Sequence, residues 1–285
     1  MRVKFTCKPD AVNVRNTVFR SYVAIGDSLS EGLGDFGFET RREHCGWTDR
    51  LAALLSLEAR GVEFQYANLA LRGSKLRKIM TEQLEAALRL QPDLVTIMAG
   101  SNDMFTSESK LPELEVIFRD GLQLLIAAGC EVVVANTINP IHLRVFKGMA
   151  PRAERLTRML ERVAAEFGVR VIDVHGIESF SELYYWADDM VHFSGHGHVK
   201  VANRAADVLG LTHRMPEARL EDMTAPSRTF FATLEWVRIH VIPFISRRIR
   251  RASSGDGMQP KHLSLVPYSH TEFEVIRAAD YGVAA

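Results

Sequence analysis

The sequence has few cysteines and no net charge, and each shortage argues against a class of protein. Its three cysteines, Cys7, Cys45 and Cys130, lie far apart without a C-x-x-C pair, which is typical of reduced thiols and not of a disulfide framework or a zinc site. Its 35 basic residues equal its 35 acidic ones, so no overall field attracts nucleic acid or an anionic membrane. We expect no nucleic-acid partner, and any basic patch must be local.

Long apolar runs are missing as well. No stretch reaches the about 18 consecutive apolar residues of a membrane-spanning helix. The N-terminal segment, residues 1–17, also lacks the apolar core of a signal peptide. Composition is otherwise that of an ordinary globular chain, with 47% hydrophobic and 25% charged residues. We therefore expect a cytoplasmic globular protein.

Several familiar ligand and catalytic motifs are absent too. The first apolar run is not followed by the Gly-x-Gly-x-x-Gly of a dinucleotide site, and no P-loop Gly-Lys-Ser/Thr occurs. The segment Gly26-Asp27-Ser28-Leu29-Ser30 does not match the Gly-x-Ser-x-Gly elbow of α/β-hydrolases, because Ser30 stands where the second glycine belongs. Nucleotide-binding folds and the α/β-hydrolase fold are therefore disfavoured.

The chain does contain a regular alternation of short apolar runs and helix-length segments. Such alternation predicts a parallel sheet with right-handed helical crossovers on both faces. We expect a three-layer α/β/α sandwich with a doubly wound, flavodoxin-like sheet of five parallel strands. The predicted strands are residues 21–26, 63–68, 94–99, 131–135 and 169–174, and the predicted helices are residues 46–59, 75–90, 111–128, 151–167 and 197–209.

The alternation stops near residue 210, which divides the chain into three parts. Residues 1–17 form an N-terminal segment, residues 18–210 the α/β domain and residues 211–285 a C-terminal extension. In the extension, residues 229–241 read as an apolar helix that a cluster of arginines follows, so residues 229–251 can pack on the domain, lie on an anionic membrane, bind a partner or cover the active site. We expect a flexible linker at residues 253–257 and a poorly ordered tail at residues 258–285.

Polar residues gather where the predicted strands end, and ligands of doubly wound sheets bind at those ends. Ser28 follows the first strand, and a serine hydroxyl becomes a nucleophile when a base removes its proton and a third group orients that base. Asp189 and His192 lie in one loop after the last strand. An aspartate three residues before a histidine can fold back to accept a hydrogen bond from its ring. We predict Ser28 as nucleophile, His192 as base and Asp189 as the orienting carboxylate.

Acyl transfer also requires hydrogen-bond donors for the oxyanion that forms when the carbonyl is attacked. Three candidates follow the first three strands. Ser28 and Gly73 can offer backbone N–H groups, and Asn102 can offer its side-chain amide. The predicted oxyanion hole therefore consists of Ser28, Gly73 and Asn102.

These residues resemble the signature of the SGNH, or GDSL, hydrolase family. The resemblance covers roughly residues 18–210 and implies the same three-layer sandwich, together with ester hydrolysis through an acyl-enzyme and no cofactor. The tail pattern, in which Arg250-Arg251 is followed by residues 253–257, resembles that of actinobacterial members. The four signature residues fall on Ser28 in Gly26-Asp27-Ser28-Leu29-Ser30, Gly73 in the block from Asn68, Asn102 in Gly100-Ser101-Asn102-Asp103, and His192 in Asp189-Met190-Val191-His192.

Several activities share this chemistry. An esterase or lipase-like hydrolase of small acyl esters is the first expectation, a carbohydrate O-deacetylase or a thioesterase is the alternative, and a non-catalytic binding module is disfavoured by the complete triad. The sequence does not predict chain length, leaving group or oligomeric state.

Neighbouring residues receive structural roles. We expect Asp27 and Asp103 to fix turns through backbone hydrogen bonds. A metal site at His192, His196 and His198 is disfavoured because no cysteine lies near them. The glycine-rich loop 32–38 can equally form a wall of an acyl pocket or pack as an ordinary loop.

Overall fold

Five parallel strands and one antiparallel edge strand form the central sheet of the protein. The computed structural model describes residues 18–35, 44–59, 61–105, 107–142, 144–219, 221, 223, 238–239, 254–269 and 271. The strands are β1 (Ser21–Gly26), β2 (Gln65–Asn68), β3 (Leu94–Met98), β4 (Glu131–Ala135), β5 (Arg170–Ile172) and β6 (Val266–Pro267), in the spatial order β5-β4-β3-β1-β2-β6. The order of the parallel strands reverses at β1, so the carboxyl ends of β1 and β3 flank the crevice in which such sheets bind ligands.

Helices cover both faces of this sheet. One face carries α2 and α7, which pack against each other, and the other carries α4, α5 and α6 in a row. A π-helical turn at Ile79–Gln83 separates α3 from α4. The helices are α1 (Ser28–Glu31), α2 (Trp47–Glu58), α3 (Leu76–Lys78), α4 (Leu84–Leu90), α5 (Leu111–Ala127), α6 (Ala150–Glu166) and α7 (Gly195–Leu209).

The central strands are buried on both faces, as expected for a parallel sheet under two helical layers. All five residues of β3 are buried, and its one polar side chain, Thr96, bonds to the Tyr22 hydroxyl at 2.6 Å. Because the hydroxyl is paired, its burial does not leave an unsatisfied polar group in the core.

The predicted three-layer sandwich is confirmed, with one correction to the sheet. A sixth strand, β6, pairs antiparallel with β2, so the sheet is not five-stranded. It comes from the segment 258–285 that we expected to be a poorly ordered tail, and residues 258–269 instead contact the α/β domain. The physical reason is that β2 offers unpaired backbone groups at the sheet edge, which a late segment can satisfy. The flexible linker expected at residues 253–257 is corrected as well, because Gly255 is buried against Leu71 and Arg72.

Part of the predicted C-terminal extension lies outside the described residues. The apolar helix predicted at residues 229–241 is described only at Arg238 and Ile239, and the arginines at positions 247, 248, 250 and 251 are not described. Within the described ranges, no helix has the length and apolar character to cross a membrane.

Candidate active site

The turn after β1 places Ser28 at the carboxyl edge of the sheet. Asp27 caps the short helix α1 by accepting a hydrogen bond from the Leu29 N–H at 3.0 Å. Gly26 has no room for a side chain, since a Cβ there would lie 2.5 Å from Ser30 Oγ and 2.7 Å from the Met98 carbonyl oxygen. Strand, glycine and capping aspartate together turn the chain so that Ser28 is the first residue of α1, with 9% of its surface exposed.

A loop after β5 brings a histidine and an aspartate to this serine. His192 Nε2 lies 2.8 Å from Ser28 Oγ, and His192 Nδ1 lies 2.5 Å from Asp189 Oδ2. The other oxygen of Asp189 accepts the backbone N–H groups of Val191 at 2.9 Å and His192 at 3.0 Å. The three residues that the sequence singled out are therefore in contact, in the order serine, histidine, aspartate.

The electrostatics of this chain of hydrogen bonds fix the tautomer of the ring. Burial acts to raise the pKa of Asp189, but the hydrogen bonds from the His192 side chain and from two backbone N–H groups outweigh it and hold that pKa well below its usual range. An ionised Asp189 can only accept, so the ring proton lies on Nδ1. The Nε2 lone pair then faces the Ser28 hydroxyl.

Gly73 and Asn102 lie in the loops that flank the serine. Gly73 has φ 74°, a left-handed conformation that favours glycine. The Asn102 amide donates to Asp27 Oδ2 at 3.2 Å and to the Ser74 carbonyl at 3.1 Å. It thereby bridges the Ser28 turn and the Gly73 loop, with both N–H groups directed at protein oxygens.

Asp27 and Asp103 both fix loops through backbone hydrogen bonds, in keeping with the structural roles expected for them. Asp103 accepts the Leu76 N–H at 2.8 Å, beside the start of α3. Burial raises the pKa of Asp27 to about 7, against the lowering effects of the Leu29 N–H and of nearby His192. Burial raises the pKa of Asp103 to about 6, although the Leu76 N–H opposes it. Two carboxyl groups beside the site are thus easier to protonate than usual.

Two contacts that sequence reasoning missed hold the same loops. Gln83, at the end of the π-helical turn, accepts the Gly26 N–H at 2.7 Å and donates to the Gly26 carbonyl at 2.9 Å. The Arg72 N–H donates to the Glu31 carboxylate at 2.7 Å, and the two side chains form an ion pair. A π-helical turn often marks a functional region, but no sequence pattern reveals one here.

His198, which lies near the His192 loop, has protein partners at both ring nitrogens. His198 is fully buried in α7, where Nδ1 accepts the Trp47 N–H at 3.1 Å and Nε2 donates to the Leu33 carbonyl at 3.1 Å. Burial lowers the pKa of His198 to about 4, so the ring is neutral. The described part of the chain contains no group of three His, Cys, Asp or Glu side chains placed to hold one metal ion.

The predicted pocket wall, loop 32–38, is only partly described. Gly34 packs against the Phe193 carbonyl oxygen, which joins this loop to the histidine loop, and Asp35 forms a buried ion pair with Arg50 at 2.7 Å. Residues 36–43 lie outside the described residues.

Comparison with known proteins identifies a family and a fold for this chain. The GDSL-like Lipase/Acylhydrolase family matches residues 24–200, a range that contains all five predicted site residues. A comparison with curated proteins gave no match. Solved structures share the fold: an acetylxylan esterase from Geobacillus stearothermophilus is 19% identical, with a TM-score of 0.56 over 67% of this chain and 94% of that chain.

Two further structures have the same fold. An alpha/beta hydrolase from the metagenome of Lake Arreo is 20% identical, with a TM-score of 0.56 over 67% of this chain and 95% of that chain. A lipase from a goat rumen metagenome is 20% identical, with a TM-score of 0.54 over 66% of this chain and 96% of that chain. The acetylxylan esterase has been solved as catalytic mutants of a serine, a histidine and an aspartate, the aspartate three positions before the histidine.

Proposed function

Because the chain belongs to the GDSL-like lipase/acylhydrolase family, we propose that it hydrolyses carboxylic esters with Ser28 as the nucleophile. His192 is the general base and Asp189 orients its ring. The observation that carries this assignment is the hydrogen-bond chain from Ser28 Oγ through His192, with links of 2.8 and 2.5 Å. The catalytic mutants of the acetylxylan esterase support it, because their aspartate and histidine have the same spacing as Asp189 and His192.

The reaction proceeds in two halves. In the first, Ser28 Oγ bonds to the ester carbonyl carbon as His192 Nε2 takes the hydroxyl proton, and the tetrahedral intermediate expels the alkoxide, which receives that proton from His192. In the second, His192 removes a proton from water as the water oxygen attacks the acyl-enzyme, and returns it to Ser28 Oγ as the acid leaves. Water is the only co-reactant, and the proposed mechanism uses no cofactor.

The oxyanion is proposed to be stabilised by the backbone N–H groups of Ser28 and Gly73 and by the Asn102 amide. Asn102 already donates to Asp27 and the Ser74 carbonyl, so it reaches a substrate oxygen through a shared hydrogen bond or a small rotation. The two backbone N–H groups are fixed by the main chain, and donors held in place before substrate binds are the most effective kind because they need no reorganisation during the reaction.

A small acyl ester is the proposed substrate, and a carbohydrate O-acetyl ester is the second candidate. The acetylxylan esterase among the structures with this fold is the observation that favours the second candidate. The two candidates differ in the alcohol half of the ester and not in the chemistry of the acyl half.

The test is hydrolysis of p-nitrophenyl esters from acetate to long acyl chains, an acyl-thioester and acetylated xylo-oligosaccharides, with wild type and Ser28→Ala in parallel. We expect wild-type turnover and a loss of about 10³-fold or more in kcat for Ser28→Ala. Acetate release from the oligosaccharide that exceeds p-nitrophenyl acetate hydrolysis in kcat/KM identifies a deacetylase. Equal rates for wild type and Ser28→Ala contradict the assignment.

Three properties beyond the reaction remain proposals from the sequence alone. The chain is proposed to act in the cytoplasm of an actinobacterial cell and to contact an anionic membrane surface through residues 229–251, where arginines follow apolar residues. Sedimentation with phosphatidylglycerol vesicles, compared with phosphatidylcholine vesicles, tests the membrane contact. Equal binding to both vesicle types contradicts it.

A further inference from the structure

The C-terminal strap, defined as residues 254–268, runs along the β2 edge of the sheet. Within it, β6 pairs with β2 through Tyr66 and Val266. The Tyr268 N–H donates to the Phe64 carbonyl at 2.8 Å, and the His262 N–H donates to the Asn68 carbonyl at 3.2 Å. The strap therefore follows β2 up to the start of the loop that carries Gly73.

The first turn of the strap packs directly on that loop. Gly255 is buried against it, and a Cβ on Gly255 would overlap the Arg72 carbonyl oxygen and lie 3.0 Å from Leu71 Cγ. Arg72 immediately precedes Gly73, so the contact is one residue away from a proposed oxyanion donor.

The opposite side of the same loop is held by the nucleophile turn. The Leu71 N–H donates to the Gly26 carbonyl at 3.2 Å, and the Arg72 N–H donates to the Glu31 carboxylate at 2.7 Å. Gly26 and Glu31 lie on either side of Ser28 in the sequence. The loop is therefore enclosed between the Ser28 turn and the strap.

Lys261 fixes the middle of the strap. Its side chain is 8% exposed, and its ammonium group donates to Asp49 at 2.8 Å and to the His44 carbonyl at 2.5 Å. Residues 44–46 in turn pack on the end of the nucleophile helix, where a Cβ on Gly32 would lie 2.6 Å from the Gly46 nitrogen. The strap thus contacts the Gly73 loop directly and is connected to the Ser28 helix through residues 44–46.

We propose that the C-terminal strap is a positioning element of the active site, which holds residues 71–73 against the Ser28 turn and so sets the place of the Gly73 N–H. The strap lies outside residues 24–200, the range that the family match covers. This inference rests on the proposed ester hydrolysis for its turnover readout, and it has a second readout that does not.

The test compares Gly255→Ala with Gly148→Ala in the full-length chain. The added methyl group at position 255 meets the Arg72 carbonyl, whereas nothing lies within 4 Å of a Cβ at Gly148. We expect Gly255→Ala to lower kcat for p-nitrophenyl acetate about 10-fold or more, because removing one oxyanion donor outright costs about 10²–10³-fold. KM should stay within about threefold of wild type, since the ground-state ester does not depend on that donor. Gly148→Ala should keep the wild-type kcat.

The second readout is backbone hydrogen exchange at residues 69–74. Gly255→Ala should raise exchange in this segment while the rest of the domain keeps its wild-type protection, and Gly148→Ala should leave the segment unchanged. Should Gly255→Ala not give folded protein, Lys261→Gln replaces it, with Lys200→Gln as control because the Lys200 pair with Glu217 is exposed. Lys261→Gln should likewise lower kcat and keep KM within about threefold of wild type.

Three results overturn the proposal. The first is a kcat for Gly255→Ala within twofold of that for Gly148→Ala. The second is a loss of kcat together with faster backbone hydrogen exchange throughout the domain. That pattern indicates a general loss of stability and not a local effect on residues 69–74. The third is unchanged backbone exchange at residues 69–74 in Gly255→Ala. This result overturns the role of the strap even where wild type neither hydrolyses esters nor reacts with a phosphonate at Ser28, an outcome that would contradict the ester assignment separately.

Discussion

Two carboxylates near the same serine, the fully buried Asp27 and the partly buried Asp189, have pKa values shifted in opposite directions because their partners differ. Asp189 receives hydrogen bonds from the His192 ring and two backbone N–H groups, which keep it ionised despite its burial. Asp27 accepts hydrogen bonds from the Leu29 N–H and from the Asn102 amide. These do not offset the effect of burial, which raises its pKa. Only Asp189 can orient an imidazole across the whole neutral range, which matches the role proposed for it.

The pH dependence of stability should reveal the state of Asp27. Its pKa of about 7 in the folded protein exceeds the ordinary value of 3.8, so the folded state binds more protons between these values. Wild-type stability relative to Asp27→Asn should therefore fall as the pH rises from about 4 to about 7, and level off above it. Urea denaturation of both proteins from pH 5 to pH 8 measures this.

Asp189→Asn is the matched control for that experiment. The depressed pKa of Asp189 contributes stability above the ordinary pKa of an aspartate, and this contribution is lost only as the pH falls below it. The difference between wild type and Asp189→Asn should be flat from pH 5 to pH 8. A flat difference for Asp27→Asn as well contradicts the account of Asp27.

The hydrogen bonds of Gln83 to Gly26 predict a measurable loss of stability when this side chain is replaced. In Gln83→Leu, the buried Gly26 N–H loses its partner, so we expect a loss of about 1–3 kcal/mol in the free energy of unfolding. The exposed Gln123→Leu on α5 should change stability by less than about 0.5 kcal/mol. Chemical denaturation of the two variants measures both free energies of unfolding. Equal losses would contradict a stabilising role for the Gln83 hydrogen bonds to Gly26.

At the residue scale, the sequence predicted Ser28, Asp189 and His192 because each occupies a motif with a fixed spacing. It did not predict Gln83, which lies in an amphipathic segment where a glutamine normally faces solvent. The π-helical turn at Ile79–Gln83 rotates this side chain inward, and a simple helical period does not foresee that rotation.

At the scale of elements, a buried ion pair between Lys261 and Asp49 adds to the backbone hydrogen bonds that hold the strap on the domain. Asp49 and Lys261 are 7% and 8% exposed, so in Lys261→Met the carboxylate is left buried without its cation. Removing one partner of a buried pair costs about 3–5 kcal/mol, and we expect a loss near the lower end because Asp49 keeps the Gly46 and Tyr66 hydrogen bonds. Thermal and urea unfolding measure it.

The control for this prediction is another lysine on the same domain. Lys200 pairs with Glu217, and the two side chains are 29% and 42% exposed. Lys200→Met should cost about 0–1 kcal/mol, as is usual for surface pairs. If both lysine variants lose the same small amount, the strap is not anchored by Lys261.

Five strands were predictable as elements and the sixth was not. The five parallel strands are apolar runs separated by helix-length segments, and the tertiary structure shortened three of them by one to three residues. β6 has two residues, one of them Pro267, and shows no alternation from which a strand can be predicted. It exists because β2 leaves an open edge, and proline is tolerated at such an edge.

At the scale of the whole molecule, topology explains why residues far apart in the sequence meet. Ser28 follows β1 and His192 follows β5, and parallel strands deliver both to the same edge of the sheet. The alternation of strands and helices in the sequence is sufficient to predict this edge. Substrate choice could not be predicted in the same way, because it depends on loop side chains that the fold does not fix.

The measurement that tests the central claim most directly is covalent labelling of the wild-type protein by a fluorophosphonate, followed by peptide mass spectrometry. The phosphorus atom bonds to the activated oxygen with loss of fluoride, so the adduct marks the nucleophile. We expect one adduct, on Ser28, and labelling at least about 10²-fold slower in His192→Ala, which lacks the base. An adduct on another serine, or labelling of Ser28 that is as fast in His192→Ala as in wild type, would contradict the account.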